Sequence, residues 1–122
     1  MQYVLLIYET PEDFEARTTD PSHPYIAAWR TYHQALVEAG VYVGGNPLRA
    51  VQEAAVVRVK RGKPQLQDGP YAETKEQLGG FIVLELPSLD AALEWATRCP
   101  VAASGAVEVR PVATEIHETI TA

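Results

Sequence analysis

Two segments of this chain are apolar at every position, and this pattern restricts the possible folds more than any other feature. Residues 3–8 read Tyr-Val-Leu-Leu-Ile-Tyr, and residues 81–84 read Phe-Ile-Val-Leu. Because side chains of a strand alternate between the two faces of a sheet, both faces of each strand are then apolar. When helices cover one side of a sheet, the other side is polar if it faces water. We therefore expect a further layer to cover the second face.

The remaining elements are predicted from apolar periodicity and turn residues. Apolar side chains recur at helical steps from Tyr25 to Ala39, which predicts a helix with Gly40 at its end. Residues 9–24 are predicted to be a loop in which Thr10 begins one helical turn. A second helix is expected after Ser88. Further strands are predicted at 41–43, where the glycines that follow break or bend the strand, and at 55–60, 64–67, 81–86 and 106–112.

This order of elements predicts an α+β fold of the ferredoxin-like type. It reads strand, helix, strand, hairpin, strand, helix, strand, which is a split β-α-β sheet with an inserted hairpin. The 122 residues suit one domain over 1–122. A second copy packed sheet against sheet would cover the spare apolar face. We therefore expect a homodimer in the form of a dimeric α+β barrel.

Charge and composition exclude several classes of partner. The chain has 10 Lys and Arg against 16 Asp and Glu, a formal net charge of −6 at pH 7. Such a chain repels phosphate groups, so we expect no nucleic-acid partner and no membrane partner. The first apolar run ends at Glu9, without the features of a secretion signal. The single cysteine, Cys99, cannot form an internal disulfide, and we expect a cytoplasmic location.

A motif near the middle of the chain carries a family resemblance. Residues 68–80 read Asp-Gly-Pro-Tyr-Ala-Glu-Thr-Lys-Glu-Gln-Leu-Gly-Gly. This segment resembles the signature of YCII-related proteins of the Asp-Gly-Pro-Phe (DGPF) type, with Tyr71 in place of the phenylalanine. The resemblance extends to residues 3–8, 39–41, 90–96 and 107–112.

The resemblance implies a dimeric α+β barrel without an assigned reaction. It also implies a regulatory setting, since some members are encoded beside extracytoplasmic-function sigma factors. In the wider superfamily, a His–Asp pair near the first helix has been proposed as catalytic. The position that aligns with this histidine falls near Ala28 in this chain, and His33 lies about one turn further on.

Candidate site residues come from the motif and from polar residues of the neighbouring elements. Asp68 is either a turn residue whose carboxylate accepts backbone N–H bonds or an acid/base group at the rim of a pocket, with His33 as the other acid/base candidate. The residues expected to contact a ligand are Tyr8, Trp29 and Tyr71 as apolar walls, Lys75 and Arg110 as anion contacts, and Glu73 beside Lys75. Arg110 is equally a partner for Glu108 on the same strand face.

No metal and no cofactor is predicted, because none of the three histidines has a second His or Cys at ligand spacing. Two functions stay open: a small-ligand-binding or regulatory accessory module linked to sigma-factor signalling, and a cofactor-independent enzyme that uses acid/base chemistry on a small polar or aromatic metabolite. An enclosed cavity with a desolvated Asp68 or Glu73 favours the enzyme. A filled cleft with solvated carboxylates favours the module.

Overall fold

The computed structural model describes residues 1–72 and 74–122. None of the helices in these two ranges is long and apolar enough to cross a bilayer. Short 3₁₀ turns lie at Val51–Glu53 and Pro100–Ala103. The helices and strands, in chain order, are β1 (Gln2–Glu9), α1 (Pro11–Thr19), α2 (Pro24–Glu38), β2 (Tyr42–Pro47), β3 (Ala55–Lys60), β4 (Lys63–Asp68), β5 (Gln77–Glu85), α3 (Leu89–Thr97), β6 (Ala106–Pro111) and α4 (Thr114–Thr121).

The main sheet has four antiparallel strands in the order β2-β5-β1-β6. Strand β1 lies in the interior of this sheet, where it pairs with β5 on one side and with β6 on the other. Strands β3 and β4 pair with each other in a separate hairpin. The predicted α+β, ferredoxin-like fold with an inserted hairpin is therefore confirmed.

The hydrophobic core lies on one face of this sheet. Alternate side chains of β1, those of Tyr3, Leu5 and Ile7, are buried in it, together with Leu36 of α2. The intervening side chains, such as Leu6, belong to the opposite face and stay partly exposed. One face of the apolar strand is thus covered within the chain, whereas the cover for the other face stays a prediction.

The loop predicted over residues 9–24 is wrong over Pro11–Thr19, which forms the helix α1. The Thr10 side chain caps this helix by accepting a hydrogen bond from the Asp13 N–H at 3.2 Å, and Pro11 occupies its first turn. Acidic residues in the first turn favour the helix further, because they face the positive end of its dipole. The capping signal was visible in the sequence, but the few apolar residues that follow it suggested a single turn only.

Glycines allow the sheet strands to run further than predicted. Strand β2 continues through Gly44 and Gly45 to Pro47, with a register shift between Tyr42 and Gly44. A side chain at Gly45 would collide with the Phe81 carbonyl oxygen of β5, so only glycine permits this close pairing. Strand β5 likewise starts at Gln77 rather than Phe81, with a register shift at its glycines, since Ile7 is paired with Gly80 and Tyr8 with Leu78.

Helix α4 was not predicted from the sequence. Its apolar positions Ile116 and Ile120 lie four residues apart, but both side chains are exposed in the structure. A helix without a buried face leaves only a weak periodic signal, because that signal comes from packing against a core.

Two adjacent residues of α2 test the position of the core. Leu36 is 1% exposed and Val37 is 54% exposed. We expect Leu36→Ala to lower the free energy of unfolding by about 2–5 kcal/mol, because it leaves a cavity in the core. The control Val37→Ala should change it by no more than about 0.5 kcal/mol. Urea denaturation of both variants measures the difference, and equal losses would contradict this placement of the core.

Candidate functional site

A cleft of about 810 Å³ lies between the sheet and the helices α1 and α2. Ile7 and Ile82 of the sheet form its floor, while Phe14 of α1 and Trp29 and Leu36 of α2 contribute apolar walls. A cleft of this size and lining is typical of sites for small organic molecules. A second cavity of about 290 Å³ shares Glu9, Phe14 and Gly79 with it.

One carboxyl group is buried in the wall of this cleft. Glu9, the last residue of β1, is 4% exposed and is the buried charged residue of the described chain. The alternation of β1 carries it onto the same face as Leu5 and Ile7. Gly79 of β5 makes room for it, since a Cβ atom at Gly79 would collide with the Glu9 carboxylate.

Two neighbouring side chains contact this carboxyl group. The Tyr25 hydroxyl donates a hydrogen bond of 2.7 Å to Glu9 Oε2. Arg17 Nε lies 3.4 Å from Glu9 Oε1, which makes an ion pair. Both Glu9 Oε1 and Arg17 Nε are buried without a hydrogen-bond partner among the described residues. We call Glu9, Arg17 and Tyr25 the carboxyl cluster.

Local structure holds the two partners of Glu9 in place. Thr10, the residue after β1, caps α1, which starts at Pro11, and Arg17 in the last turn of this helix reaches Glu9 at the end of the strand. Its guanidinium lies 4.3 Å from the centre of the Phe14 ring and donates a hydrogen bond to the Leu48 carbonyl oxygen. Tyr25 stands in the first turn of α2, where its backbone N–H donates to His23 Nδ1 at 3.0 Å.

Burial controls the electrostatics of the carboxyl cluster. It raises the pKa of the Glu9 carboxyl above its usual value, and the Tyr25 hydrogen bond and the Arg17 charge oppose this only in part. Burial also raises the pKa of the Tyr25 hydroxyl far above its usual range, and the hydrogen bond to Glu9 adds to the effect. The cleft therefore holds a carboxyl group that resists ionisation and a tyrosine that keeps its proton.

Two of the residues expected from the sequence line this cleft. Trp29 forms part of its wall, and its ring meets the Tyr25 and Tyr32 rings edge to face at 6.2 and 5.8 Å. His33 also lines the cleft, but its side chain is exposed and its ring packs against Tyr42 at 4.7 Å.

Two other expected residues lie on the opposite face of the sheet. The Tyr8 hydroxyl donates a hydrogen bond of 3.2 Å to Glu108 Oε1. Arg110 is paired with Val4 in the register of β1 and β6, two residues along from Glu108, and is exposed. Neither residue lines the cleft between sheet and helices.

Residues 68–80, the segment that resembles the DGPF signature, begin at the last residue of the β3–β4 hairpin. Asp68 ends β4 with its side chain exposed, and no hydrogen bond between described residues involves its carboxylate. Tyr71 is 75% exposed, with the Arg58 guanidinium 5.2 Å from its ring centre. Lys75 is exposed as well, and Glu73 lies outside the described residues. The expected site residues are thus distributed over three separate places.

The sequence analysis missed all three residues of the carboxyl cluster. A signal was available for Glu9, because it continues the alternating positions 3, 5 and 7 that the structure buries. Nothing comparable marked Arg17 or Tyr25, whose contacts join residues from different elements.

The described residues contain no group of three or more His, Cys, Asp or Glu that could hold a metal ion. Cys99 is buried, and burial raises the pKa of its thiol to about 12.

The fold and the cleft define a small ferredoxin-like α+β protein, and comparisons with known proteins identify its family. The YCII-related domain matches residues 1–116. An uncharacterized protein of Rhizobium meliloti is 34% identical over 115 residues, which cover 93% of each chain. The chain belongs to the YCII-related family, so the resemblance seen in the sequence is confirmed.

A solved structure shares the fold at low sequence identity. It is 5-chloro-2-hydroxyhydroquinone dehydrochlorinase from Burkholderia phenoliruptrix, in complex with 2,5-dihydroxybenzoquinone. The TM-score is 0.54 at 17% identity, and the match covers 92% of this chain and 93% of the other. At this identity the likeness concerns the fold alone.

The raised pKa of Glu9 predicts how stability depends on pH. The folded protein holds the Glu9 proton more tightly than the unfolded chain does, so ionisation of this group opposes folding. As the pH rises from below the usual carboxyl value of 4.5 through the higher folded-state value, the wild type should lose stability relative to Glu9→Gln. Urea denaturation from about pH 4 to about pH 8 measures this difference.

The control for this measurement is Glu12→Gln. Glu12 is an exposed residue of α1, so the variant removes one negative charge outside the cleft. A stability difference between the wild type and Glu9→Gln that stays constant with pH, or that shifts in favour of the wild type as the pH rises, would contradict the raised pKa of Glu9.

Proposed function

We propose that this protein binds a small organic molecule with an apolar body in the cleft between the sheet and the helices α1 and α2. The observation that carries the proposal is the open cleft of about 810 Å³, whose walls are mainly apolar and contain one buried carboxyl group. Apolar walls contribute most of the binding energy, while a few buried polar groups select the orientation of the ligand. A small-ligand-binding module is therefore the function that the geometry supports best.

The open face of the sheet supports a proposed homodimer. Val4, Leu6 and Tyr8 of β1 are only partly buried, although they belong to an interior strand. Leu6 is paired with Phe81 of β5, so this apolar strip extends across two strands. A second copy of the chain, packed sheet against sheet, would bury these side chains and give a dimeric α+β barrel. Tyr8 and Arg110 then belong to the dimer interface rather than to the ligand cleft.

A second candidate function is a cofactor-independent enzyme. One observation favours it: Glu9 is a desolvated carboxyl group with a raised pKa in the wall of an open cleft. Groups of this kind serve as general acids or bases. The structural neighbour is named as a dehydrochlorinase, and this likeness of fold supports the second candidate. In this candidate function, Glu9 takes the acid/base role that the sequence analysis gave to Asp68 or His33. The side chains of Asp68 and His33 are both exposed, whereas Glu9 is buried.

The cytoplasmic location and the link to sigma-factor signalling stay predictions. The signalling link fits the proposed ligand-binding module, because a protein that binds a metabolite in a cleft can report the concentration of that metabolite to a regulatory partner. The acidic chain makes a protein surface a more plausible partner for such a module than a nucleic acid.

The binding proposal is tested with the two tryptophans of the chain. Trp29 lines the cleft and Trp95 does not. When the labelled protein is titrated with a naphthol, the indole N–H NMR signal of Trp29 should shift, since an aromatic ligand in the cleft changes its surroundings. The Trp95 signal serves as the internal control, and Trp29→Phe assigns the two signals. Unchanged signals up to the solubility limit of the probe, or equal shifts of both, would contradict binding in the cleft.

The dimer is tested by a charge on the open sheet face. Light scattering of the wild type should give twice the chain mass of 13.4 kDa. Leu6→Glu should give the monomer mass, because a carboxylate would be buried in the interface without a partner. Val37→Glu, at an exposed position of α2, should remain dimeric. A wild type of monomer mass would overturn the dimer while leaving the cleft proposal intact.

A further inference from the structure

One face of the β3–β4 hairpin is apolar and exposed to solvent. Val57 and Val59 lie on the same face of β3, and Leu66 of β4 is paired with Val57. These three side chains are 60%, 66% and 76% exposed. A two-stranded hairpin is at best marginally stable in water unless another layer packs against its apolar side. Val57, Val59 and Leu66 therefore form a docking surface, which we call the hairpin face.

Helix α4 presents a second apolar surface. Ile116 and Ile120 lie one helical turn apart on the same side of the helix, and they are 55% and 75% exposed. Every side chain of Thr114–Thr121 is exposed, so no residue of this helix belongs to the core. Helices with apolar side chains at this spacing commonly dock on apolar surfaces of a partner. Helix α4 is therefore a second surface that a partner can cover.

The two surfaces belong to segments of opposite charge. Residues 55–68 contain four basic side chains and one acidic side chain, so the hairpin is positive in a chain of net charge −6. Residues 114–121 contain two glutamates and neither Lys nor Arg. Charges closer than about 10 Å still attract each other at physiological ionic strength. The hairpin and α4 therefore match each other both in apolar character and in charge.

Within one chain the two surfaces lie at opposite corners of the main sheet. The hairpin connects the end of β2 to the start of β5, whereas α4 follows the end of β6. Strands β2 and β6 are the two edges of the sheet. Because neighbouring strands are antiparallel, the two connections also leave from opposite ends of the strands. The sheet thus separates the hairpin face from α4 of the same chain, and a second copy is the occupant that can bring them together.

A barrel made of two copies can be joined in two ways. Barrel strands are inclined by about 35–45° to the barrel axis, which turns these two corners of each sheet towards the seams between the copies. A two-fold axis along the barrel places the hairpin of one copy beside α4 of the other. An axis across the barrel places hairpin beside hairpin and α4 beside α4. The second arrangement sets like charges against each other, so charge favours the first.

We propose that the hairpin face of each copy docks on helix α4 of a second copy of this chain, so that two identical contacts join the homodimer. This inference rests on the proposed homodimer and adds which elements meet across it. In each contact the hairpin face packs against Ile116 and Ile120 of the partner subunit. The basic side chains of the hairpin then lie close to the acidic helix of the other copy.

Chemical crosslinking tests which surfaces meet. The double variant Leu66→Cys/Ile120→Cys is treated with a short bis-maleimide, while Cys99 stays unreactive because it is buried and burial raises the pKa of its thiol to about 12. The expected product on a denaturing gel is a covalent dimer, since each new cysteine lies near its counterpart on the other copy. A product crosslinked only within one chain, which keeps the monomer mass, would overturn the proposal.

Two controls show whether the crosslink reports this particular contact. Leu66→Cys alone should keep the monomer mass on the gel, whereas a covalent dimer from this variant would place hairpin beside hairpin and overturn the proposed arrangement. Leu66→Cys/Val37→Cys moves the second cysteine to an exposed position of α2 and should give little covalent dimer. A yield equal to that of Leu66→Cys/Ile120→Cys would mean that the crosslink is not specific for α4, which also contradicts the proposal.

The dissociation constant of the dimer gives a second measurement. Leu66→Ser and Ile120→Ser should each raise it about tenfold or more, because each change removes buried apolar area at both symmetric contacts. Both residues are exposed within the single chain, so the variants should fold. Val37→Ser is the matched control and should leave the dissociation constant unchanged. Sedimentation at several concentrations measures these constants, and wild-type values for both test variants would refute the contact.

The outcomes separate this inference from the proposed function. A wild type of monomer mass in light scattering overturns the homodimer and this inference with it. A wild-type dimer that gives no covalent dimer from Leu66→Cys/Ile120→Cys overturns this inference alone. The proposed ligand cleft does not depend on either result.

Discussion

The rest of the structure depends on the alternation of side chains along the interior strand β1. Tyr3, Leu5 and Ile7 fill the core beneath the helices, and the same two-residue period carries Glu9 onto this face. Hydrogen bonds to β5 and β6 fix the register of β1, and Glu9 itself is paired with Gln77 of β5, so its side chain stays on the core face of the sheet. The buried carboxyl group is thus a consequence of the strand that organises the core.

Burial of the Glu9 carboxyl group accounts for the residues that the neighbouring elements place around it. An isolated carboxylate in an apolar wall is strongly unfavourable, so it requires a donor and a countercharge. Tyr25 of α2 donates to one oxygen and Arg17 of α1 faces the other. Gly79 leaves the space that the carboxylate occupies. Glu9 Oε1 and Arg17 Nε lie 3.4 Å apart, so the countercharge is close although the hydrogen bond between them is incomplete.

Much of the fold was predictable from short-range patterns, and much of the site was not. The apolar runs, the helical period of α2, the Ser88 cap of α3 and the β3–β4 hairpin each record a local preference of the chain. Trp29 was predicted as a ligand contact from its place on the apolar face of α2, and it lines the cleft. Asp68 was predicted as a site residue because it begins the segment that resembles the DGPF signature, but its carboxylate is exposed. An Asp-Gly-Pro motif can mark a turn as readily as a site.

The sequence by itself determined the order of the strands and of the helices α2 and α3, the ferredoxin-like class and the presence of more apolar strand surface than two helices can cover. These properties follow from composition and from periodic patterns among residues that are close in the sequence. The sequence did not determine α1 or α4. Only the tertiary structure decided that Glu9, Arg17 and Tyr25 meet in one wall, and that Tyr8 and Arg110 lie on the other side of the sheet. The physical reason is that strand register and helix docking bring these groups together or separate them, and neither is encoded in a local pattern.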